Sequence, residues 1–382
     1  MRRIISSCAA FVLVAGCAGT ATDTGVTDVA EPADCAPVTS TDLNTEDGWL
    51  GLIDQSPENV SVLIDDGRGR VVEHRPEDPQ VLASAVKVVH LAAYSRAVAG
   101  GALDPDEQVP LTDWERWYVP GTDGGAHPEA LKRLGIANDG IGATDPSSTV
   151  RLDDMVTAMI QESDNAVPDY LRHRLGDQAI VDAAATGGWD DFEVPSLAGT
   201  FLALFAPSVA VGDPWDVANK WAFDSQFRAD VNNAVVIPSY DAQAAGLEST
   251  FAKGSARELN GIYRALADGS FGDGSDLALS KLEYQQPPEG VLGLGFKGGS
   301  FPGVLTQAFE LRREDGSTAT AVWLIDGLDA DRYQAATAGL VHEQALIIDA
   351  MNSASGDSGS GGDSGSSDGS GLSALDRIAC VV

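Results

Sequence analysis

Strand patterns at both ends of the chain, with helical periodicity between them, most constrain how it can fold. Val60-Ser-Val-Leu-Ile-Asp65 and Arg70-Val-Val-Glu-His74 flank Asp66-Gly67-Arg68-Gly69, the signature of two strands around a tight turn. Far downstream, Leu292 to Lys297, Val304 to Arg313 and Thr318 to Asp326 read as three further strands, the last two joined through Asp315-Gly316. Asp331 to Asn352 then reads as a long amphipathic helix. Between these ends, Ala83 to Val98 reads as a helix with an apolar stripe, stopped by Gly100-Gly101. Leu152 to Gln161 and Ala166 to Arg174 follow as two more helices. One antiparallel sheet built from both chain ends around an all-helical subdomain, an α+β architecture, satisfies this order of elements. Residues 41–353 are enough for one large domain or two intimate subdomains, and no internal repeat is present.

The two tails differ from this middle. Arg2 and Arg3 precede the short apolar run Ile4 to Gly16, which has signal-peptide proportions and is too short for a stable membrane-spanning helix. Val14-Ala15-Gly16-Cys17 looks like a bacterial lipoprotein box, which implies a signal of residues 1–16 and a lipid anchor on Cys17. The expected location is therefore outside the cytoplasmic membrane, held to its outer face by lipid. Residues 17–40 read as a flexible tether, residues 354–371 as a Ser/Gly/Asp linker, and 372–382 as a tail apolar enough to dock. Cys8 falls within the signal and Cys17 is used by the lipid. Cys35 and Cys380 remain as one pair in an oxidising compartment. The hypothesis is that they form a disulfide tying the ends of the mature chain together.

A formal charge of −33 excludes several partners. Acidic residues outnumber basic ones by 57 to 24, which argues against nucleic acid and against electrostatic binding to anionic lipid. No His/Cys cluster has metal-ligand spacing, so no metal and no cofactor are expected. Lysine is scarce, at Lys87, Lys132, Lys220, Lys253, Lys281 and Lys297 only.

Two of those lysines sit in short motifs. Ser84-Ala85-Val86-Lys87 places a hydroxyl and an amine three residues apart at a helix start, so they share a face. A serine hydroxyl is a weak nucleophile until a neighbour takes its proton. A buried lysine beside other positive charge can be that neighbour. Ser163-Asp164-Asn165 lies at a break between two helices, where these residue types also serve as caps. Lys297-Gly298-Gly299 ends a strand, and its glycines suit close approach of a substrate to an edge. Each motif alone describes an ordinary cap, bend or surface lysine. All three in this order carry more.

Together they resemble the S-x-x-K, S-D-N and K-T-G set of class A β-lactamases and penicillin-binding proteins. The resemblance spans residues 41–353 and implies the same α+β fold and an acyl-enzyme mechanism on Ser84. It implies that Lys87 is the base and that Ser163 relays protons. It gives Lys297 the role of raising the local positive potential, and Asn165 that of binding the acyl side chain. Gly299 and Ser300 fall in the substrate-binding strand, and the Ser84 and Ser300 N–H groups would form the oxyanion hole. The first and last helices of that fold lie side by side, which agrees with a Cys35–Cys380 bond.

Departures matter equally. Position 298 is Gly, so the K-T-G hydroxyl that grips a substrate carboxylate is missing; Ser300 is the candidate to compensate. No E-x-x-L-N occurs to supply a deacylating glutamate. The nearest stretch, Trp189 to Leu197, offers Glu193, with Asp190 and Asp191 behind it. Residues 112–148 are expected to overhang the site mouth, and 198–250 to form an enlarged helical insertion near the same edge. His127, in a Gly/Pro-rich stretch, is expected to be a loop residue without a chemical role.

Three readings follow. The first is an envelope serine hydrolase of the class A β-lactamase-like type, acting on a β-lactam or related amide. The second is a D-Ala-D-Ala-type carboxypeptidase or penicillin-binding protein acting on cell-wall peptide. The third is a non-catalytic envelope lipoprotein on the same scaffold. A monomer is expected in each.

Overall fold

A computed structural model describes residue 35, residues 37–352 and residues 372–382. The expected signal, Cys17 with its expected lipid, most of the expected tether and the Ser/Gly/Asp segment lie outside the described residues. No described helix is long and apolar enough to cross a membrane.

The strands are β1 (Val60–Asp65), β2 (Val71–His74), β3 (Gln80–Val81), β4 (Gln108–Pro110), β5 (Thr149–Arg151), β6 (Lys253–Gly254), β7 (Val291–Phe296), β8 (Gly299–Phe301), β9 (Val304–Arg313) and β10 (Thr318–Ile325). The main sheet runs β2-β1-β10-β9-β7, and β8 also pairs with β9. All these pairings are antiparallel, with Val60 opposite Ile325 and Trp323 opposite Gln307. The chain's two ends thus meet in adjacent strands β1 and β10. The short β8 is an addition to the sequence reading. Gly299 and Ser300 gave no alternation, yet Gly299 pairs with Thr306 and Phe301 with Val304.

Successive residues of a strand face opposite sides, and this divides the core in two. Val62, Ile64, Leu305, Phe309, Leu311 and Trp323 face one cluster, while Leu63, Ala308, Val322 and Leu324 face the other. Three helices cover the first face: α1 (Glu46–Gln55), α14 (Ala330–Asn352) and α15 (Ala374–Ala379). Trp49 is fully buried there, and its indole N–H lies 2.9 Å from the Leu43 carbonyl and 3.2 Å from that of Gly339. A Cβ on Gly339 would lie 2.0 Å from the Leu43 oxygen, so only glycine lets the two segments touch. Helix α15 buries Leu375 and Ile378, and Arg377 binds Glu46 at 2.6 Å and Asp47 at 2.7 Å on α1. Cys35 and Cys380 are joined by a disulfide, their Cα atoms 5.4 Å apart.

The other face carries the helical region. Its first part comprises α2 (Lys87–Ala99), α3 (Leu111–Glu115), α4 (Ala126–Arg133), α5 (Leu152–Gln161), α6 (Ala166–Leu175) and α7 (Asp177–Thr186). An inserted group follows: α8 (Leu197–Phe205), α9 (Pro214–Phe223), α10 (Ser225–Ala234) and α11 (Tyr240–Thr250). Helices α12 (Ala256–Ala267) and α13 (Ser275–Leu282) return the chain to the sheet. Helix α2 is its buried axis, with Lys87 to Ser95 all inaccessible. The helix expected from Ala83 begins differently: Ala83–Val86 form a 3₁₀ turn, with Ala83 at φ 48°. The sequence could not reveal this, because alanine favours a plain helix and the turn is set by what packs around it.

Candidate active site

Ser84 sits in the 3₁₀ turn that enters α2 and is 9 % exposed. Ala83 before it has left-handed backbone, rare for a residue with a Cβ. Ser163 also has left-handed backbone, at φ 71°, in the break between α5 and α6. Only three described non-glycine residues have positive φ, and two of them flank this site. Such strain persists where surrounding contacts over-determine it.

Those contacts converge on Lys87. Its Nζ lies 3.0 Å from Ser84 Oγ, 3.0 Å from Ser163 Oγ, 2.7 Å from the Ser163 carbonyl and 2.6 Å from Asn165 Oδ1. An ammonium offers three N–H donors and a free amine two donors and one lone pair, so either form has three positions for these four oxygens. The carbonyl and the amide oxygen can only accept. A neutral amine satisfies both with its two hydrogens and keeps one lone pair, which can accept from Ser84 Oγ. Asn165 is fixed in this orientation because its Nδ2 donates to the Thr122 carbonyl at 3.1 Å. Burial away from water, together with the nearby charge of Lys297, pushes Lys87 well below the usual lysine range; Asp164, Asp123 and Asp169 pull the other way. The arrangement favours the free amine.

Lys297 arrives from the opposite side, at the end of β7. Its Nζ is 3.0 Å from Ser163 Oγ and 2.7 Å from the Gly298 carbonyl, and its backbone N–H donates to the Ala308 carbonyl at 3.1 Å. Ser84, Lys87, Ser163 and Lys297 therefore form one hydrogen-bonded chain from three segments distant in sequence. Gly299 is pressed against the nucleophile: a Cβ there would lie 2.4 Å from the Ser84 nitrogen and 2.8 Å from Ala83 Cβ. Ser300, next along the strand, is exposed. Gly298 has less freedom than its lack of a side chain suggests. A Cβ there would lie 2.8 Å from the Phe296 ring, so a Thr at 298 displaces that ring.

Asp164 caps a helix as the sequence reading allowed, whereas Thr306 escaped that reading. Thr306 Oγ1 is 3.0 Å from the Leu82 carbonyl and 3.2 Å from that of Gly299, which ties the turn before Ser84 to β8. Asp164, wholly buried, caps α6 through the N–H groups of Ala166 (2.8 Å) and Val167 (3.0 Å) and accepts from the Trp114 indole at 3.1 Å. His127 differs from expectation. It is a fully buried residue of α4, with Nδ1 2.6 Å from Asp164 Oδ2. Trp114 and Tyr118, four residues apart, hint at a shared aromatic wall, but no local signal pairs either with His127.

The insertions lie against this wall. The Trp221 indole donates to the Tyr118 carbonyl at 3.1 Å, and Trp117 stacks on Trp215 with centroids 5.3 Å apart. Phe301, one residue beyond Ser300, meets Phe251 of the inserted region at 4.7 Å. Glu193 is on the surface, exposed, and makes no hydrogen bond or ion pair among the described residues. The buried carboxylate of that region is Asp169 on α6, pushed up to about 6 by burial. Its oxygens are taken by Ser196 Oγ at 2.5 Å and the N–H groups of Leu197 and Ala198 at 3.0 Å, so it anchors the start of α8. Among the described residues, no group of His, Cys, Asp and Glu could hold a metal ion.

Comparison with known proteins agrees with this fold. Similar structures include a β-lactamase from Sphaerobacter thermophilus, 17 % identical, with a TM-score of 0.51, covering 78 % of this chain and 95 % of that one. A β-lactamase from Chitinophaga pinensis is 14 % identical, with a TM-score of 0.50, covering 78 % of this chain and 99 % of that one. At such identities the likeness concerns the fold, an α+β arrangement of β-lactamase type. Among curated proteins none matches in sequence. The family model described as the beta-lactamase enzyme family matches residues 50–271, more than half of the sequence. With its β-lactamase-like serine hydrolase fold, this chain belongs to the beta-lactamase enzyme family.

Proposed function

We propose that this protein is an active-site-serine hydrolase that is acylated at Ser84 by a β-lactam or a related amide. The observation carrying the proposal is the set of oxygens around Lys87 Nζ, two of which can only accept. As free amine, Lys87 takes the Ser84 proton while Ser84 Oγ bonds to the substrate carbonyl carbon. The oxyanion forms beside the backbone N–H groups of Ser84 and Ser300, where such donors are worth about 3 kcal/mol each. The C–N bond then breaks. The proton held by Lys87 passes through Ser163 Oγ to the leaving nitrogen, and Lys297 keeps the potential positive beside that relay. Water later displaces Ser84 from the acyl carbon and returns a proton to it. Asn165 and the edge of β8 are the substrate-binding surface of this reading. No metal or cofactor has a role in it.

A second reading shares the first half only. In a D-Ala-D-Ala-type carboxypeptidase or penicillin-binding protein, a β-lactam acylates Ser84 and stays. It is favoured by Glu193 being exposed and by Asp169 having its oxygens committed to α8. In either case the proposed setting is the outer face of the cell membrane, anchored through Cys17, with a cell-wall peptide or β-lactam as substrate. Incubation with a chromogenic cephalosporin and a labelled penicillin, beside Ser84→Ala, separates the readings. Turnover lost in the variant supports the first, and a lasting label on Ser84 without turnover supports the second. No label from penicillin or from a general serine-hydrolase probe removes both.

A further inference from the structure

We propose that His127 is a positioning residue of this site: its imidazolium is the fixed counter-ion of Asp164, and the buried pair leaves Lys87 as the free amine facing Ser84. The inference rests on the proposed role of Lys87 and extends it to a residue outside the three motifs. Asp164 lies between Ser163 and Asn165, both of which bond Lys87 Nζ. An uncompensated carboxylate at that point favours the ammonium form of a neighbouring lysine. The site works as described only if that charge is answered from elsewhere.

His127 answers it. Neither its side chain nor that of Asp164 is exposed to solvent, and their atoms are 2.6 Å apart. The other ring nitrogen, Nε2, faces Glu115 Oε1 at 3.4 Å. A neutral imidazole has one N–H and can serve only one of two carboxylates; the imidazolium serves both. The ring is held between Trp114, edge-on at 4.8 Å, and Tyr118, stacked at 4.3 Å. Asp123, in the preceding loop, accepts the His127 backbone N–H at 2.9 Å and faces the Tyr118 hydroxyl at 3.2 Å. The charged groups around the ring are therefore Asp164, Glu115 and Asp123, all acidic. Burial alone works to lower the imidazole, but Asp164 and Glu115 bring it up to about 9. Burial likewise works to raise Asp164, and His127, together with the Trp114 indole and the Val167 N–H, more than offsets it. Lys87 feels Lys297, Asp164, Asp123 and Asp169; of these, Asp164 is the one paired with His127.

Two measurements test this. The first is the rate of Ser84 labelling by a fluorescent penicillin or a fluorophosphonate, as a function of pH, for the wild type, His127→Gln and His127→Gln/Asp164→Asn. With its counter-ion lost, Asp164 acts on Lys87 unopposed. The acid limb of the His127→Gln profile is expected to move up by about one pH unit, and the double variant to move back. A slower His127→Gln profile with an unshifted limb, or a double variant that stays shifted, assigns His127 a merely structural role and overturns the proposal. The second is a nitrogen NMR titration of the wild-type imidazoles, which needs neither acylation nor a variant that folds. His127 is expected to be doubly protonated at pH 7.5 and to titrate near 9; a neutral ring at pH 7.5 overturns the proposal. Because this titration is independent of Ser84 chemistry, failure of the proposed function and failure of the counter-ion role give different results.

Discussion

The two sides of Ser84 are built to different standards. Toward Lys87, Ser163 and Lys297, every polar atom of the relay has a partner within 3.0 Å, and the backbone is strained at Ala83 and Ser163 to hold it so. Toward the segment from Trp189 to Ser196, the carboxylates that the sequence offered, Glu193 first and Asp190 and Asp191 behind it, are all exposed, while buried Asp169 is taken up in capping α8. Preorganised groups act without rearranging at the moment of reaction, whereas a solvated carboxylate has to be brought in. The difference teaches that acylation and deacylation are separable demands. In this fold the first side holds buried groups of fixed orientation, and the segment on the second leads into four inserted helices, α8 to α11.

Three substitutions bear on that contrast. Lys87→Ala carries the largest expected effect, because it removes the proton acceptor itself. The labelling rate of Ser84 should fall by about 10²–10⁴-fold, and near-normal labelling would show that another group takes the proton. In the wild type the same rate should fall as pH drops through the Lys87 pKa, since only the free amine accepts. Because Lys87 is held well below the usual lysine range, labelling should persist at pH values where an ordinary lysine is fully protonated. Gly299→Ala comes next. Its Cβ would sit 2.4 Å from the Ser84 nitrogen, so β8 must move off the nucleophile. The loss expected is about 10²–10³-fold, the size seen when an oxyanion donor is removed, with the thermal midpoint lowered by a few degrees by overpacking. An undiminished rate would mean that β8 does not set the oxyanion geometry. The smallest effect is expected for Glu193→Gln: less than about twofold in the release of label, as is usual for surface changes within ±0.5 kcal/mol. A stalled release in that variant would restore Glu193 as the base and erase the contrast.

The sequence made one side of this comparison much more legible than the other. Ser84 and Lys87 are three residues apart, so their contact follows from helical geometry alone. Ser163 and Lys297 could be assigned through the resemblance because short motifs keep their form when the intervals between them grow. The sheet was readable for the same reason that it is stable: β1, β9 and β10 alternate residues between two cores, and Asp315-Gly316 marks their turn. Other features depend on approach between distant segments. His127 and Asp164 are 37 residues apart, and nothing local to either announces an ion pair. Thr306 reads as one more strand residue until β8 and the Leu82 carbonyl are seen beside it. The 3₁₀ turn at Ala83 is imposed by packing against a propensity that points elsewhere.

The buried pair also links stability to pH. The folded state raises the His127 pKa from its ordinary 6.5 to about 9. Its contribution is therefore fully present below about 6.5 and fades as pH rises through 9. Thermal midpoints should decline across that window in the wild type, and less so in His127→Gln; parallel declines would show that other groups carry the effect.

The most direct test of the central claim is intact-mass and peptide-level mass spectrometry after exposure to a penicillin and, in parallel, to a fluorophosphonate. A single adduct is expected on the peptide containing Ser84, absent in Ser84→Ala and formed far more slowly in Lys87→Ala. An unmodified Ser84 with both reagents, or equal labelling of the Lys87→Ala variant, would contradict the central claim.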